Sequence, residues 1–244
     1  AITRDYAIRN KKTKKISKYQ RKGKKAIMKK IKYTPYHPKF KETRFPDEGW
    51  SYIAPTWDQM GQVYLDLGVT ILQDNGQFDT LVTLAKGGWT WSRTMADILK
   101  IDELASFKLT VYDPSQPGKK LDKPVLETPL AIPLIGKRVL LFDDVDDTGE
   151  TLEFSLKYLS NFGASSITTA TLFHKPHSKF KPDFFGAETS AWVIFPHERR
   201  EGIVGLARKW LAKGLDIKTI KDRLVKIGLP EKEVDLFLTL EKIT

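Results

Sequence analysis

The segment Val139–Thr151 constrains the fold of this chain more than any other. Four apolar residues, Val139–Phe142, are followed within five positions by four aspartates: Asp143, Asp144, Asp146 and Asp147. A short apolar run of this kind predicts a buried strand. Acids packed at the end of such a strand repel one another unless a metal ion or another cation lies beside them. The segment therefore predicts a strand whose far end binds something positive.

A Thr-Gly-x-Thr turn follows the acids and opens a helical pattern. Thr148, Gly149 and Thr151 supply backbone N–H groups and hydroxyls at the predicted helix start. The helix dipole favours an anion at that position. One stretch of sequence thus offers carboxylates for a cation or for sugar hydroxyls, with a phosphate-binding turn directly beside them.

Three other interpretations of this segment are possible. An EF-hand loop beginning at Asp144 fails because its twelfth position is Ser155, where a bidentate Glu is needed. A Walker A loop is excluded because the sequence has no Gly-x-x-x-x-Gly-Lys-Ser/Thr. A solvated acidic turn stays open, although such a turn needs no buried strand before it.

The rest of the central region alternates strand and helix patterns. Strands are predicted at 78–84, 107–112, 139–142, 167–173 and 191–195, and helices at 56–71, 92–99 and 151–161. This alternation predicts an α/β fold with a mostly parallel twisted sheet flanked by helices. Ligand sites in such sheets lie at the carboxyl ends of the strands. Residues 113–131 lack periodicity and are predicted to form a long functional loop.

The two ends of the chain differ from this central region. Residues 1–50 hold 17 Lys/Arg and 4 Asp/Glu, whereas the remainder is close to neutral, so the overall charge of +11 belongs to a basic tail. Some helix is possible near 24–31. Residues 201–244 predict three helices, near 202–213, 216–227 and 230–242. We interpret them as an amphipathic cap or subunit contact in preference to a helix-turn-helix reader. The predicted division is 1–50, 51–200 and 201–244.

Composition limits the class of protein further. The chain of 244 residues has no cysteine, which excludes disulfides and thiolate metal sites. No apolar run approaches the ~20 residues of a membrane span, and no signal peptide is evident. We therefore expect a cytoplasmic protein without membrane contact.

The pattern of the acidic segment resembles the 5-phosphoribosyl-1-pyrophosphate (PRPP) motif of type I phosphoribosyltransferases. The resemblance implies that Asp143 and Asp144 face the ribose hydroxyls and a Mg²⁺ ion. It implies that residues 147–151, including Glu150, surround the 5′-phosphate. It also implies that Asp147 is the general base at the purine.

Further residues extend the resemblance over about residues 50–200. Lys86, Gly87 and Gly88 resemble the pyrophosphate loop, where the family often holds a strained or cis peptide. The purine half of the site is similar to that of xanthine-guanine and hypoxanthine-guanine enzymes. There Lys175 would donate to the 6-oxo group, Trp192 would stack on the base and the Val193 backbone would read an exocyclic position. Glu198 would lie near the base or a second metal.

The resemblance implies purine salvage: transfer of 5-phosphoribose from PRPP to a 6-oxopurine, with release of pyrophosphate and with Mg²⁺ as cofactor. It also implies a homo-oligomer. An alternative is a PRPP- or nucleotide-sensing regulator of the same fold, which would bind nucleic acid through the basic tail. Nucleic-acid binding by the tail is also compatible with an enzyme.

Overall fold

The computed structural model describes residues 32–74, 76–112 and 120–243. The basic run 1–31, with its possible helix at 24–31, lies outside the described residues, as does the front of the predicted loop, 113–119. Within the described ranges, no helix has both the length and the apolar character to cross a membrane.

Six strands form the main sheet, in the order β5-β4-β3-β6-β7-β8. All neighbouring pairs are parallel except β4 and β5, which are antiparallel. This matches the predicted mostly parallel sheet. The strands are β3 (Thr80–Ala85), β4 (Glu103–Tyr112), β5 (Lys120–Thr128), β6 (Arg138–Asp146), β7 (Ser166–His174) and β8 (Phe184–Glu188).

Helices cover both faces of this sheet. They are α1 (Trp57–Gln73), α2 (Trp89–Leu99) and α3 (Glu150–Ser160). On β6, Leu140 and Phe142 pack in the same core as α1 and α2, whereas Val139 and Leu141 pack in the core of α3. Because successive side chains point to opposite faces, a strand buried on both sides must be apolar throughout. This explains the uninterrupted apolar run before the aspartates.

Helix α1 begins as its sequence predicts. Thr56 accepts a hydrogen bond from the Gln59 N–H at 3.1 Å, and the Gln59 side chain accepts one from the Thr56 N–H at 2.9 Å. This reciprocal capping box satisfies donors that the first turn otherwise leaves unpaired. The cap fixes the start of the helix that packs against α2, β7 and β8.

The predicted loop 113–131 is wrong over its second half, because residues 120–128 form strand β5. The strand pairs antiparallel with β4 at the sheet edge. Leu126 packs against the core of α3, and Glu127 forms an ion pair with Lys108 across the pair of strands. An edge strand tolerates Pro124, which cannot donate to a ladder. The strand was not predicted because its charged residues and Pro124 break the apolar periodicity typical of a strand.

A second, three-stranded sheet stands apart from the first. It has the order β1-β2-β9, with β1 (Thr43–Arg44), β2 (Ser51–Ile53) and β9 (Trp192–Val193). Strand β2 pairs parallel with β9, Tyr52 opposite Trp192. The predicted strand 191–195 is therefore shorter than expected and belongs to this sheet, while β8, which was not predicted, completes the main one.

Three C-terminal helices form close to their predicted positions. They are α4 (Arg199–Ala212), α5 (Ile217–Ile227) and α6 (Glu231–Leu240). Their shared core contains the fully buried Trp210 together with Phe45, Tyr52 and Ile194. The helices therefore pack against the central strand β2 through Tyr52. They also pack against Phe45 and Ile194, which directly follow β1 and β9. The division of the chain into three segments stays a prediction.

Glu48 joins the segment before β2 to helix α4. Its buried carboxylate accepts hydrogen bonds from Lys209 at 2.5 Å, Lys213 at 2.6 Å, Tyr52 at 2.9 Å and Trp210 at 2.9 Å. Burial alone would raise the pKa of Glu48, but these donors lower it to about 2. A buried carboxylate is stable only when it is bonded in this way.

Candidate active site

One cleft of about 770 Å³ opens at the carboxyl ends of β3, β6 and β7. It collects most of the residues predicted to bind ligand: Gly87, Asp143, Asp144, Asp147, Thr148, Gly149, Glu150, Thr151, Lys175, Trp192, Val193 and Glu198. Lys86 and Gly88 are the two predicted residues that do not line it. The roles of all these residues stay predictions. Their position in one cleft places carboxylates, a glycine turn, a lysine and an aromatic ring where one ligand can contact them all.

Asp143 and Asp144 form a buried acidic pair at the end of β6. Each is only 8% exposed, and the Asp144 N–H donates to the Asp143 carboxylate at 3.0 Å. Burial, with the charge of Asp144, raises the pKa of Asp143 well above its usual range, and burial raises that of Asp144 to about 6. In the described part of the chain neither acid has an ion pair. The pair is thus suited to a cation held jointly with a ligand.

The turn after the acids has the geometry of an anion site. Gly149 lies at the N-terminus of α3 with φ of +85°. A Cβ at Gly149 would lie 2.5 Å from Cβ of Phe180 and 2.7 Å from its backbone nitrogen. Only glycine fits both this left-handed conformation and this close approach. The turn and the first residues of α3, Glu150–Leu152, line the cleft.

The loop after β3 approaches the acidic pair closely. A Cβ on Gly87 would lie 2.6 Å from a carboxylate oxygen of Asp144, and one on Gly88 would lie 2.1 Å from the Thr83 hydroxyl. The peptide bond between Ala85 and Lys86 is cis. The Lys86 side chain is exposed and lies 3.9 Å from Glu201. Both glycines are thus required by packing, and Gly87 brings backbone next to the acids.

Asp147 points out of the strand end and is exposed. Its carboxylate lies 3.2 Å from Nε2 of His177. His177 also lines the cleft but was not predicted as a site residue. The signal was available, because His177 follows the strand-end Lys175 by two positions. Asp147 therefore has a neighbouring imidazole that can hold the orientation of its carboxylate.

Asp146 is a second residue that the sequence analysis left unassigned. It is 2% exposed, and its carboxylate lies 2.8 Å from Nδ1 of the buried His174. Its backbone carbonyl accepts a hydrogen bond from the Lys175 N–H at 2.9 Å. Asp146 thus fastens the end of β6, which carries Asp147, to the end of β7, which carries Lys175.

Lys175 is buried beside the segment that carries Trp192, in the part of the cleft that we call the base end. It is 6% exposed, and its ammonium donates to the Ala191 carbonyl. Burial lowers the pKa of Lys175, while the charges of Asp147 and Glu42 oppose that effect. A buried ammonium with spare donors strongly favours a ligand that offers an acceptor.

Two indoles form the wall beside Lys175. Trp192 was predicted, and Trp50, which precedes β2, was not. Their ring centroids are 6.0 Å apart with an interplanar angle of 28°, and both line the cleft. This end of the cleft therefore offers a planar aromatic surface next to a cationic donor.

Glu198 lies at the start of α4 and faces the acidic pair. Burial raises the pKa of Glu198 to about 7, and the charges of Asp144 and Glu201 add to the effect. The preceding residue, His197, has two buried ring nitrogens without a hydrogen-bond partner and packs against Trp91 and Phe195. Among the described residues, no group of three or more His, Asp and Glu forms a metal cage.

The phosphoribosyl transferase domain family matches residues 58–198 of the chain. A curated relative, the xanthine-guanine phosphoribosyltransferase of Gluconobacter oxydans (strain 621H), is 26% identical over 147 residues, which is 59% of this chain and 83% of the relative.

Two solved structures share the fold of this region. The purine phosphoribosyltransferase of Pyrococcus horikoshii Ot3 is 30% identical with a TM-score of 0.53, covering 60% of this chain and 93% of that one. A Neisseria gonorrhoeae protein solved with bound ppGpp is 26% identical with a TM-score of 0.53, covering 60% and 89%.

Proposed function

The chain belongs to the phosphoribosyl transferase family, and we propose that it transfers 5-phosphoribose from PRPP to a 6-oxopurine in purine salvage. As a member of the family it is a glycosyltransferase of the pentosyltransferase class. The observation that carries the choice of acceptor is that one cleft holds both the phosphate turn and the base end, where Lys175 is buried near Trp192. A sugar phosphate fits the turn, and a planar base with an oxo acceptor fits the base end.

Asp143 and Asp144 would bind the ribose hydroxyls and a Mg²⁺ ion. The fit is good, because Mg²⁺ is usually held by one or two carboxylates together with substrate phosphates and waters. Two adjacent buried carboxylates, without an ion pair in the described residues, are such a donor set. When bound, the ion would neutralise charge on the pyrophosphate.

Both ends of PRPP have a backbone partner in this arrangement. The turn from Asp147 to Thr151 would bind the 5′-phosphate through N–H groups at the start of α3. The loop at Gly87 would approach the pyrophosphate, and the exposed Lys86 would supply a positive charge there. Stabilising the departing group in this way is electrostatic catalysis.

In the reaction the bond from the ribose anomeric carbon to pyrophosphate breaks, and a bond to a purine ring nitrogen forms. The proton on that nitrogen goes to the Asp147 carboxylate, which acts as general base. His177, 3.2 Å away, would orient this carboxylate. Positive charge develops on the ribose ring in this step, and Asp143 and Asp144 would lie close to it when they bind the ribose hydroxyls.

Lys175 supports a 6-oxopurine over adenine. Its ammonium donates and cannot accept, so an oxo group completes its bonding, whereas an amino group leaves buried donors unpaired. Trp192 would stack on the base, an interaction of roughly 1–3 kcal/mol. The backbone of Val193 and the side chain of Glu198 would contact the remaining edge.

The test is a spectrophotometric screen of purines and pyrimidines with PRPP and Mg²⁺. We expect turnover with guanine, hypoxanthine or xanthine and at least about 100-fold lower kcat/KM with adenine. Turnover with a pyrimidine alone, or with adenine best, would reject the 6-oxopurine assignment. Omitting Mg²⁺ should abolish turnover, and adding it back should restore it.

The regulatory alternative rests on the charge of residues 1–50. Fluorescence anisotropy with labelled RNA and DNA at two salt concentrations, using the full chain and a chain lacking 1–31, would test it. Unchanged affinity after the deletion would reject binding by the tail, whereas a loss with a steep salt dependence would support it. The homo-oligomeric state and the cytoplasmic location also stay predictions.

A further inference from the structure

The aromatic wall of the cleft continues beyond the segment matched by the family, which spans residues 58–198. Trp50 stacks on Trp192, with 6.0 Å between ring centroids. Trp50 is 42% exposed and Trp192 is 54% exposed. An indole this exposed is free to change rotamer unless a neighbour fixes it. Trp50, which precedes the matched segment, is thus a neighbour able to fix the orientation of Trp192.

The pairing of the second sheet explains why the two indoles meet. Tyr52 of β2 lies opposite Trp192 of β9 in a parallel pair. Trp50 directly precedes β2, which begins at Ser51. The pairing of β2 with β9 therefore brings the segment that carries Trp50 next to Trp192.

A cation from the C-terminal helices holds Trp50. The Lys209 ammonium of α4 lies 4.3 Å from the centroid of the Trp50 ring. The same ammonium donates to the buried Glu48 carboxylate at 2.5 Å, so its position is fixed. Lys209 therefore contacts Trp50 through a cation–π attraction, and Trp50 in turn stacks on Trp192.

We propose that Trp50 and Lys209 are positioning residues for the purine base, acting through Trp192. Trp50 supports one face of the Trp192 indole and leaves the other for the base. The inference rests on the proposed function, since it takes a purine as the ligand of Trp192. Trp50 lies before the matched segment and Lys209 lies after it. The inference gives both residues a role in binding the acceptor base and no role in binding PRPP.

The first test compares Trp50→Ala with Trp50→Phe. For the alanine variant we expect the KM for guanine to rise about fivefold, with kcat and the KM for PRPP unchanged within twofold. Phenylalanine keeps a stacking ring and should restore most of the base affinity. A far-ultraviolet circular dichroism couplet from the stacked indoles should disappear in both Trp50→Ala and Trp192→Ala, which reports the stack without activity.

The second test compares Lys209→Met with Lys213→Met. Both variants remove an ion pair with Glu48, but in the described residues the cation over Trp50 is Lys209. We expect about a threefold rise in the KM for guanine for Lys209→Met and none for Lys213→Met. This pair separates support of the indole from general stability of the helices.

The outcomes distinguish the inference from the proposed function. A wild-type protein without turnover on any purine overturns the proposed function. An active wild type in which Trp50→Ala leaves the KM for guanine unchanged overturns the inference. Equal effects on the KM for PRPP, or a couplet that survives Trp50→Ala, would also overturn it.

Discussion

The two ends of the cleft are built in different ways. The phosphate end comes from one continuous segment, Asp143–Thr151, in which strand, turn and helix follow each other without a break. The base end is assembled from Trp50, Lys175 and Trp192, which lie far apart in the chain, with support from Lys209. On the proposed roles, donor binding would therefore depend on one local segment, whereas acceptor binding would depend on the tertiary pairing of distant segments.

Asp147 is the proposed general base, and its removal should have the largest effect. We expect Asp147→Asn to lower kcat about 10²–10³-fold, because the amide cannot take the purine proton, with the KM values little changed. Steady-state kinetics with guanine and PRPP measure this. Glu153→Gln, an exposed acid on the adjoining helix, is the control and should keep wild-type turnover. A fully active Asp147→Asn would remove the general base from the mechanism.

Glu48 tests whether the base end depends on the C-terminal helices. Because Glu48→Gln removes the buried carboxylate charge that Lys209 and Lys213 share, we expect the free energy of unfolding to fall by about 2 kcal/mol at neutral pH. The KM for guanine should rise while the KM for PRPP holds. Urea unfolding and kinetics measure the two effects. Asp47→Asn, an exposed neighbour, should change stability much less.

The same variant predicts a pH dependence of stability. The folded-state pKa of Glu48 is lowered to about 2 from an ordinary value of 4.5. Its contribution is therefore complete above pH 4.5 and is lost as the pH falls toward 2. The difference in unfolding free energy between wild type and Glu48→Gln should narrow across this window. A difference that stays constant would mean that the carboxylate charge is not responsible.

Lys175 tests the acceptor end alone. We expect Lys175→Met to lower kcat/KM for guanine about 30-fold, the value of a hydrogen bond from a charged donor, and to narrow the preference over adenine. The KM for PRPP should stay within twofold of wild type. Lys181→Met, an exposed lysine nearby, serves as control. Equal losses for guanine and PRPP would contradict the separation of the two ends.

Gly149 tests the donor end, with a smaller expected effect. Gly149→Ala introduces a Cβ into a left-handed turn and against Phe180, so we expect the KM for PRPP to rise about tenfold and the KM for guanine to change little. Gly136→Ala shares the positive φ, at +71°, but meets nothing within 4 Å. Kinetics of the two variants separate backbone strain from loss of the phosphate turn.

Features of this molecule that depend on local sequence could be predicted, whereas features that depend on distant pairing could not. The capping box at Thr56, the doubly buried strand and the glycine turn at Gly149 depend on near neighbours in sequence, and the structure has them as expected. The sequence did not predict strand β5, the sheet to which β9 belongs, or the position of Trp50 in the wall of the cleft. Each of these depends on a partner segment elsewhere in the chain. Strand preference is set by such partners more than by the residues themselves.

The second sheet also determines the order in which the two ends can be completed during synthesis. Strand β2 leaves the ribosome early, but its partner β9 follows only after every strand of the main sheet. Contacts between neighbours in sequence form quickly, while distant ones wait for the chain. We infer that the growing polypeptide has its sugar-phosphate turn well before Trp50 meets Trp192 and Lys209. During synthesis, the part of the cleft proposed to bind the sugar phosphate would thus form before the part proposed to bind the base.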